Sequence, residues 1–242
     1  MSSGKYGAVS GAIGRMQMMD NISEHLASVK STAYKRGQVR FEAVLGEANS
    51  GMASKAVNYA RTTGEVIDFT PGQLEYTGNP LNVAINGDGF FQVECKDGSR
   101  GYIRRGSFQL DTKGQLVDPN KRPVLDVAGK PIVLLHSDID ISTDGWIYAD
   151  GVQVAQIGFY QFDDNSVLQR AGEGLFKPSD GSKPKPNPDS QIIQKNIETS
   201  NVSMMQEVAR MTTNTRTFEA AEKALKVYND MDGYAAQLGL VQ

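Results

Sequence analysis

The chain is short of several things, and each shortage excludes something. Among its 242 residues there is one cysteine, Cys95, so no disulfide can close within the chain. No apolar run approaches the roughly 20 residues that a membrane-spanning helix needs. Charge is nearly balanced at a formal net of -3, which argues against a general nucleic-acid binder. Histidine occurs at His25 and His136, in unrelated contexts, and tryptophan occurs once, at Trp146. Met1 to Met19 lacks the continuous apolar core of a secretory signal. Proline is missing from both ends, since all nine prolines lie between Pro71 and Pro188. Proline-free ends suit long helices, and a middle punctuated by turn residues suits an all-β unit. The order of parts is helix, β-rich body, helix.

The clearest periodic signal lies near the C-terminus. Ser203 followed by Gln206 has the spacing of a capping box. Behind it Met204, Val208, Met211, Thr215, Phe218, Ala221, Leu225 and Tyr228 recur by threes and fours, which places them on one helical face. At the other end Tyr6, Val9, Ile13, Met16, Met19, Ile22, Leu26 and Val29 do the same. Gly4, Gly7, Gly11 and Gly14 line a strip on that helix, and each interior glycine costs about 1 kcal/mol against alanine. Such an arm is expected to be helical when packed against neighbours and not alone in water. Lys5, Arg15, Asp20 and Glu24 exclude the transmembrane-dimer reading of the glycine spacing. Two apolar-striped arms are expected to pair with each other as a coiled coil, giving an α+β fold with a mainly antiparallel β domain between them.

The middle is read from its turns. Residues 46–64 are small, polar and weakly patterned, which fits a loop or extended ribbon. From Leu74 onward short alternating runs are separated by Asn86-Gly-Asp-Gly89, Lys96-Asp-Gly-Ser99, Asp111-Thr-Lys-Gly114, Thr143-Asp-Gly-Trp146 and Asp150-Gly151. Gly87-Asp-Gly89 begins like a dinucleotide fingerprint, but no third glycine or helix pattern completes it. A calcium loop starting at Asp138 would need glycine and glutamate where Thr143 and Ala149 stand. Cys95 has no catalytic companion and Ser107 lies in no nucleophile elbow. His25 reads as a polar helix-face residue, and Lys183-Pro-Lys-Pro-Asn-Pro188 as a semi-rigid link. No catalytic, cofactor or metal site is expected.

Three segments carry a resemblance. Near the N-terminus Asn21, Leu26, Ala27, Thr32, Tyr34 and Lys35 follow an asparagine, leucine-alanine, threonine-x-tyrosine-lysine pattern. In the centre Gly78-Asn-Pro-Leu-Asn-Val-Ala-Ile-Asn-Gly-Asp-Gly-Phe-Phe-Gln-Val93 contains Asn86, Gly87, Gly89, Phe90 and Phe91, and Arg105-Gly-Ser-Phe-Gln-Leu-Asp111 follows. Near the C-terminus stand Ser200, Asn201 and Val202, leading into Met204 to Met211. Collinear and spanning nearly the whole chain, these segments resemble the signatures of bacterial flagellar rod and hook proteins. His25, Ser28 and Ala33 stand where that family usually has asparagine, asparagine and glycine. Ala33 matters most, because glycine there would permit a positive φ at the helix exit.

The resemblance implies a basal-body rod subunit, part of an axial shaft that transmits motor torque. The short stretch between Arg36 and Pro71 favours a proximal over a distal rod subunit. A hook-type paralogue, or a cytoplasmic coiled-coil adaptor with a β domain, is the alternative. The expected parts are an assembly helix at 1–34, a connector at 35–70, a β body at 71–181, a proline-rich linker at 182–199 and a second assembly helix at 200–242. Assembly is expected to run through Val9, Ile13, Met16, Ile22, Leu26, Val208, Met211, Phe218, Leu225 and Tyr228, with both arms ordering on assembly. The implied partners are copies of itself, other rod proteins, hook–basal-body neighbours and the flagellar type III export apparatus, without a cleaved signal, nucleic acid or membrane insertion. A β-sandwich hydrolase is the reading from another class, and the sequence offers no acid–base pair for it.

Overall fold

Helix-period patterns free of proline give helices at both ends, and turn-punctuated alternation gives strands between them. The computed structural model describes residues 3–45, 58–134, 139–179, 181–187 and 190–239. His136, Asp138 and Pro188 lie outside the described residues, as does much of the segment read as a loop or ribbon. The chain divides into two compact units. One comprises Met1–Ala27, Gly37–Val66 and Ser203–Gln242; the other comprises Ser28–Arg36 and Ile67–Val202.

The first unit holds α1 (Ser3–Ser28) and α2 (Met204–Gly239), together with β1 (Gly37–Leu45) paired to β2 (Asn58–Ile67). Helix α2 is rich in Ala, Met, Glu and Lys, which favour helix. Its first intrahelical bond runs from the Glu207 N–H to the Ser203 carbonyl. Thr212, Thr213, Thr215 and Thr217 return their hydroxyls to carbonyls four residues back, so these polar groups are satisfied within the helix.

The coiled-coil expectation does not survive. The α2 row with the least exposure is Glu207, Met211, Asn214, Phe218, Ala221, Leu225 and Tyr228, and its two fully buried members are polar. Glu207 meets His25 of α1, and the Asn214 amide donates to the Arg15 carbonyl at 2.8 Å. Val9, Ile13, Met16 and Val208, which a knobs-into-holes seam would enclose, are 40 to 58% exposed. Polar side-chain bonds join the helices where an apolar seam was expected.

The second unit is a mainly antiparallel β assembly. Its strands are β3 (Leu74–Tyr76), β4 (Val83–Asn86), β5 (Phe90–Glu94), β6 (Arg100–Ile103), β7 (Gln109–Leu110) and β8 (Leu116–Val117). After these come β9 (Ile139–Ile141), β10 (Trp146–Ala149), β11 (Val152–Gln156) and β12 (Phe159–Gln161). The last are β13 (Leu168–Arg170), β14 (Leu175–Pro178), β15 (Lys185–Pro186), β16 (Gln191–Gln194) and β17 (Asn196–Glu198). A six-stranded sheet has the order β13-β14-β6-β5-β12-β15, with Pro186 on its edge strand opposite Tyr160. Beside it stand β11-β10-β9 and the pairs β16-β4, β17-β3 and β7-β8. The segment 182–199 thus carries β15, β16 and β17.

The six-stranded sheet is covered on both faces. Phe91, Val93 and Ile103 join the main core with Val83, Ile85, Phe108, Ile147 and Ile157. Their strand neighbours Phe90 and Tyr102 point the other way, into an aromatic cluster with Phe162, Leu168 and Phe176. Ring contacts there are edge-to-face, such as Phe69 on Phe90 at 5.4 Å and Tyr102 on Phe162 at 5.0 Å. This accounts for the unbroken apolar run Phe90-Phe91: a strand buried on both sides loses its polar alternation. The Asp-Gly signals act as turns. Asp150 and Gly151 both take positive φ, 48° and 76°, as a two-residue hairpin between β10 and β11 requires.

Ala33 adopts φ 53° at the exit from α1, so alanine holds the left-handed turn that a glycine would take without strain. That conformation costs a side-chain-bearing residue about 1 to 2 kcal/mol. Ala33→Gly is therefore expected to raise stability in urea unfolding by about 0.5 to 1 kcal/mol, the steric relief being partly offset by the freer unfolded chain. A loss of stability would contradict the left-handed assignment.

Candidate functional site

The polypeptide leaving α1 is fixed by a buried polar node. The Ala33 N–H donates to the Glu198 carbonyl at 2.8 Å, which aligns the following turn with the end of β17. Two residues on, Lys35 is 1% exposed, and its Nζ donates to Glu198 Oε1 at 2.5 Å and to the Thr70 carbonyl at 2.9 Å. Glu198 Oε2 accepts from Arg104 Nε at 2.6 Å, and Oε1 also accepts from the Gly72 N–H at 2.9 Å. The rest of the Arg104 guanidinium is spent on three carbonyls around the β4–β5 turn, those of Ile85, Gly87 and Gly89. One carboxylate thus holds two cations from distant parts of the chain, and the second cation braces the glycine turn.

A second layer lies beside it. Asn201 Oδ1 accepts from the Arg36 N–H at 2.7 Å, while its Nδ2 donates to the carbonyls of Asp68 and Thr70. Arg36 pairs with Asp68 at 3.1 Å. The Arg170 guanidinium lies 4.8 Å over the Tyr34 ring and donates to the Lys35 carbonyl, and Arg105 Nε donates to the Thr32 carbonyl. Ser200 Oγ accepts from the Val202 N–H, and Val202 is buried.

The electrostatics follow from burial. Burial opposes the Glu198 charge, yet Arg104 and Lys35 outweigh it and hold the carboxyl below its ordinary value. Burial pulls Lys35 below the usual lysine range, by more than Glu198 raises it. A lowered carboxyl value means that its stabilisation is present above the ordinary carboxyl range and is lost as pH falls. Lys35 acts in the alkaline range, where the unfolded chain holds its proton longer and stability rises with pH.

The node gathers part of each signature: Thr32, Tyr34 and Lys35 from the first, Gly87 and Gly89 from the second, Ser200, Asn201 and Val202 from the third. Asn86 is exposed and pairs with Gln191, whereas Phe90 and Phe91 belong to the two faces of the central sheet. In the helical unit Ile22 is buried, and Asn21, Leu26, Met211, Phe218, Leu225 and Tyr228 are half-buried. Ala27, Val9, Ile13, Met16 and Val208 are exposed. Sequence reading missed Arg104 and Glu198. The signal available was a charged residue interrupting a strand-like apolar stretch, Tyr102-Ile103-Arg104 and Ile197-Glu198.

Elsewhere on the β unit an open groove of about 380 Å³ is lined by Val127, Phe159, Tyr160, Pro186 and Asn187. Two of its polar residues, Asn187 and Ser190, both bond the Asp88 carbonyl. Among the described residues no cluster of three His, Cys, Asp or Glu is placed to hold a metal ion, and no helix is long and apolar enough to cross a membrane.

Residues 84–159 match the flagellar hook protein FlgE/F/G D1 domain, and residues 193–238 match the flagellar basal body rod FlgEFG protein C-terminal domain. The chain is 30% identical to the flagellar basal-body rod protein FlgF of Escherichia coli K12, over 96% of each chain. It is 30% identical to FlgF of Rhizobium meliloti over 90% of each. Identity to the rod protein FlgG of Buchnera aphidicola from Acyrthosiphon pisum is also 30%, over 91% of this chain and 93% of the relative. The chain belongs to the flagellar basal-body rod protein family.

Glu198→Gln is expected to lower the unfolding free energy of the β unit by about 3 to 5 kcal/mol, because it strands two buried cations. Lys35→Met should cost less, since Arg104 still satisfies the carboxylate. Denaturant unfolding at several pH values checks both. Wild type should lose stability on acidification through the carboxyl range, and Glu198→Gln should show a flatter acid limb.

Proposed function

We propose that this chain is a structural subunit of the flagellar basal-body rod and that its terminal helices form the contacts between subunits. The supporting observation is the apolar surface those helices leave in water. Ile13, Met16, Met204, Met205, Val227, Met231 and Tyr234 are each more than half exposed, with Met205 at 81%. Burying a side chain of this size is worth about 1.5 to 3 kcal/mol, so large apolar side chains left in water along both helices support burial against other subunits. Contacts that are not self-complementary repeat around an axis and build a tube in place of a closed dimer. A tube of interlocked subunits resists shear, as a shaft carrying motor torque must.

In this reading 1–34 and 200–242 are the assembly helices, 71–181 is the body and 35–70 a connector, while 182–199 belongs with the body through β15, β16 and β17. The short stretch between Arg36 and Pro71 supports the proximal position along the rod. Export by the flagellar type III apparatus belongs to the same reading and rests on family membership. The outer reaches of the arms order on assembly, whereas their bases are already held by Ile22, His25 and Glu207, all buried.

Ile13→Asp and Met16→Asp are expected to fold like wild type, because both side chains face solvent in the single chain, and to be missing from isolated basal bodies. Swimming should be lost in cells carrying either variant as the sole copy. Wild-type incorporation of both would overturn the assignment of these helices to assembly. Amide exchange gives a second check. Residues 7–16 and 227–234 should exchange fast in the purified chain and slowly in assembled rods, while 22–25 and 207–214 stay protected in both.

A further inference from the structure

His25 is 1% exposed on α1, and its ring is held at both nitrogens. The N–H of Gly37, the first residue of β1, donates to Nε2 at 3.2 Å. A nitrogen that accepts carries no proton, so the ring proton is on Nδ1. Nδ1 lies 3.3 Å from Glu207 Oε2 in the first turn of α2, and the other oxygen of Glu207 accepts from Arg210 at 3.0 Å. A neutral imidazole in a single tautomer therefore ties together α1, the start of the β1–β2 ribbon and the start of α2.

We propose that His25 is a proton-operated latch at the base of the arms: neutral, it holds both Gly37 and Glu207; protonated, it releases Gly37 and keeps Glu207. Protonation places a second N–H at Nε2, directly opposite the Gly37 N–H, and two donors facing each other cannot bond. On the other side the Nδ1–H bond to the Glu207 carboxylate gains the attraction of an ion pair and strengthens. The two responses have opposite sign at the two ends of one ring, so acid loosens the ribbon without parting the helices. The charged groups facing the site agree with this. Glu207 and Arg210 approach from α2, and the Glu65 carboxylate of β2 lies against the Cα of Gly37. Glu24 on α1 and Arg40 on β1 are the nearest other charges along those two elements.

The test uses the full chain with labelled histidine, and a His136→Gln variant assigns the signals. The two states are told apart by the His25 nitrogen shifts along a pH series: Nδ1–H with a bare Nε2 while Gly37 is held, and both nitrogens protonated once it is released. Over the same series exchange of the Gly37 amide, corrected for its intrinsic pH dependence, should rise about tenfold, as the loss of one hydrogen bond predicts. In His25→Asn no ring remains to take up a proton, so Gly37 exchange should show no pH response beyond the intrinsic one. An Nε2–H tautomer at the upper pH, an unchanged Gly37 amide, or the same pH response in His25→Asn would each overturn the latch. If His25→Asn does not fold, the wild-type tautomer and the Gly37 amide decide the question.

Discussion

The β unit depends on one carboxylate. Glu198 is reached by Lys35 from 163 residues away and by Arg104 from 94 residues away, and all three are nearly inaccessible to water. Ions so buried bring little net stability, because desolvation consumes most of the attraction. What they bring is uniqueness. An apolar trio of equal volume would tolerate several offsets between the α1 exit, the glycine turn and the end of β17. A carboxylate that needs two cations and a backbone N–H accepts one offset. The place of the Thr32–Lys35 turn within the β unit is thereby set by charge.

The hydrophobic part of the unit is organised by a sheet with two different faces. Consecutive residues diverge: Phe91 packs on Phe108 in an aliphatic core, and Phe90 packs in an aromatic one. The aliphatic side tolerates close layering of short strands such as β7 and β8. The aromatic side has fewer, larger residues, and its buried Gln92 and Tyr102 bond to each other at 3.3 Å. A strand with such a double allegiance has little freedom to slip, since a shift by one residue would exchange its faces.

Much of this was legible in the sequence, and the exceptions share a cause. Helices at both ends followed from period and the absence of proline, and the hairpins followed from Asp-Gly and Asn-Gly signals at regular spacing. The fate of the helical stripes did not follow, because period shows that a face is apolar and does not show which face meets its neighbour. The inner row of α2 contains Glu207 and Asn214, residues that a hydrophobic count passes over. His25 read only as a polar helix-face residue for the same reason, since its partner Glu207 lies 182 positions away and leaves no local trace. Ala33 was the informative exception. The turn persisted where its usual glycine was replaced, because the Ala33 N–H bond to Glu198 and the buried Lys35 that follows fix the backbone from outside.

Pro186 has a consequence beyond its own strand. It sits on β15, the outermost strand at one end of the six-stranded sheet, and the sequence places Pro184 and Pro188 on either side. Proline has no N–H to offer, so Pro186 cannot donate to a ladder with a newcomer. Proteins that polymerise are crowded against their own copies, where an open sheet border seeds cross-β growth. Growth of the body sideways, strand upon strand, is disfavoured at that position.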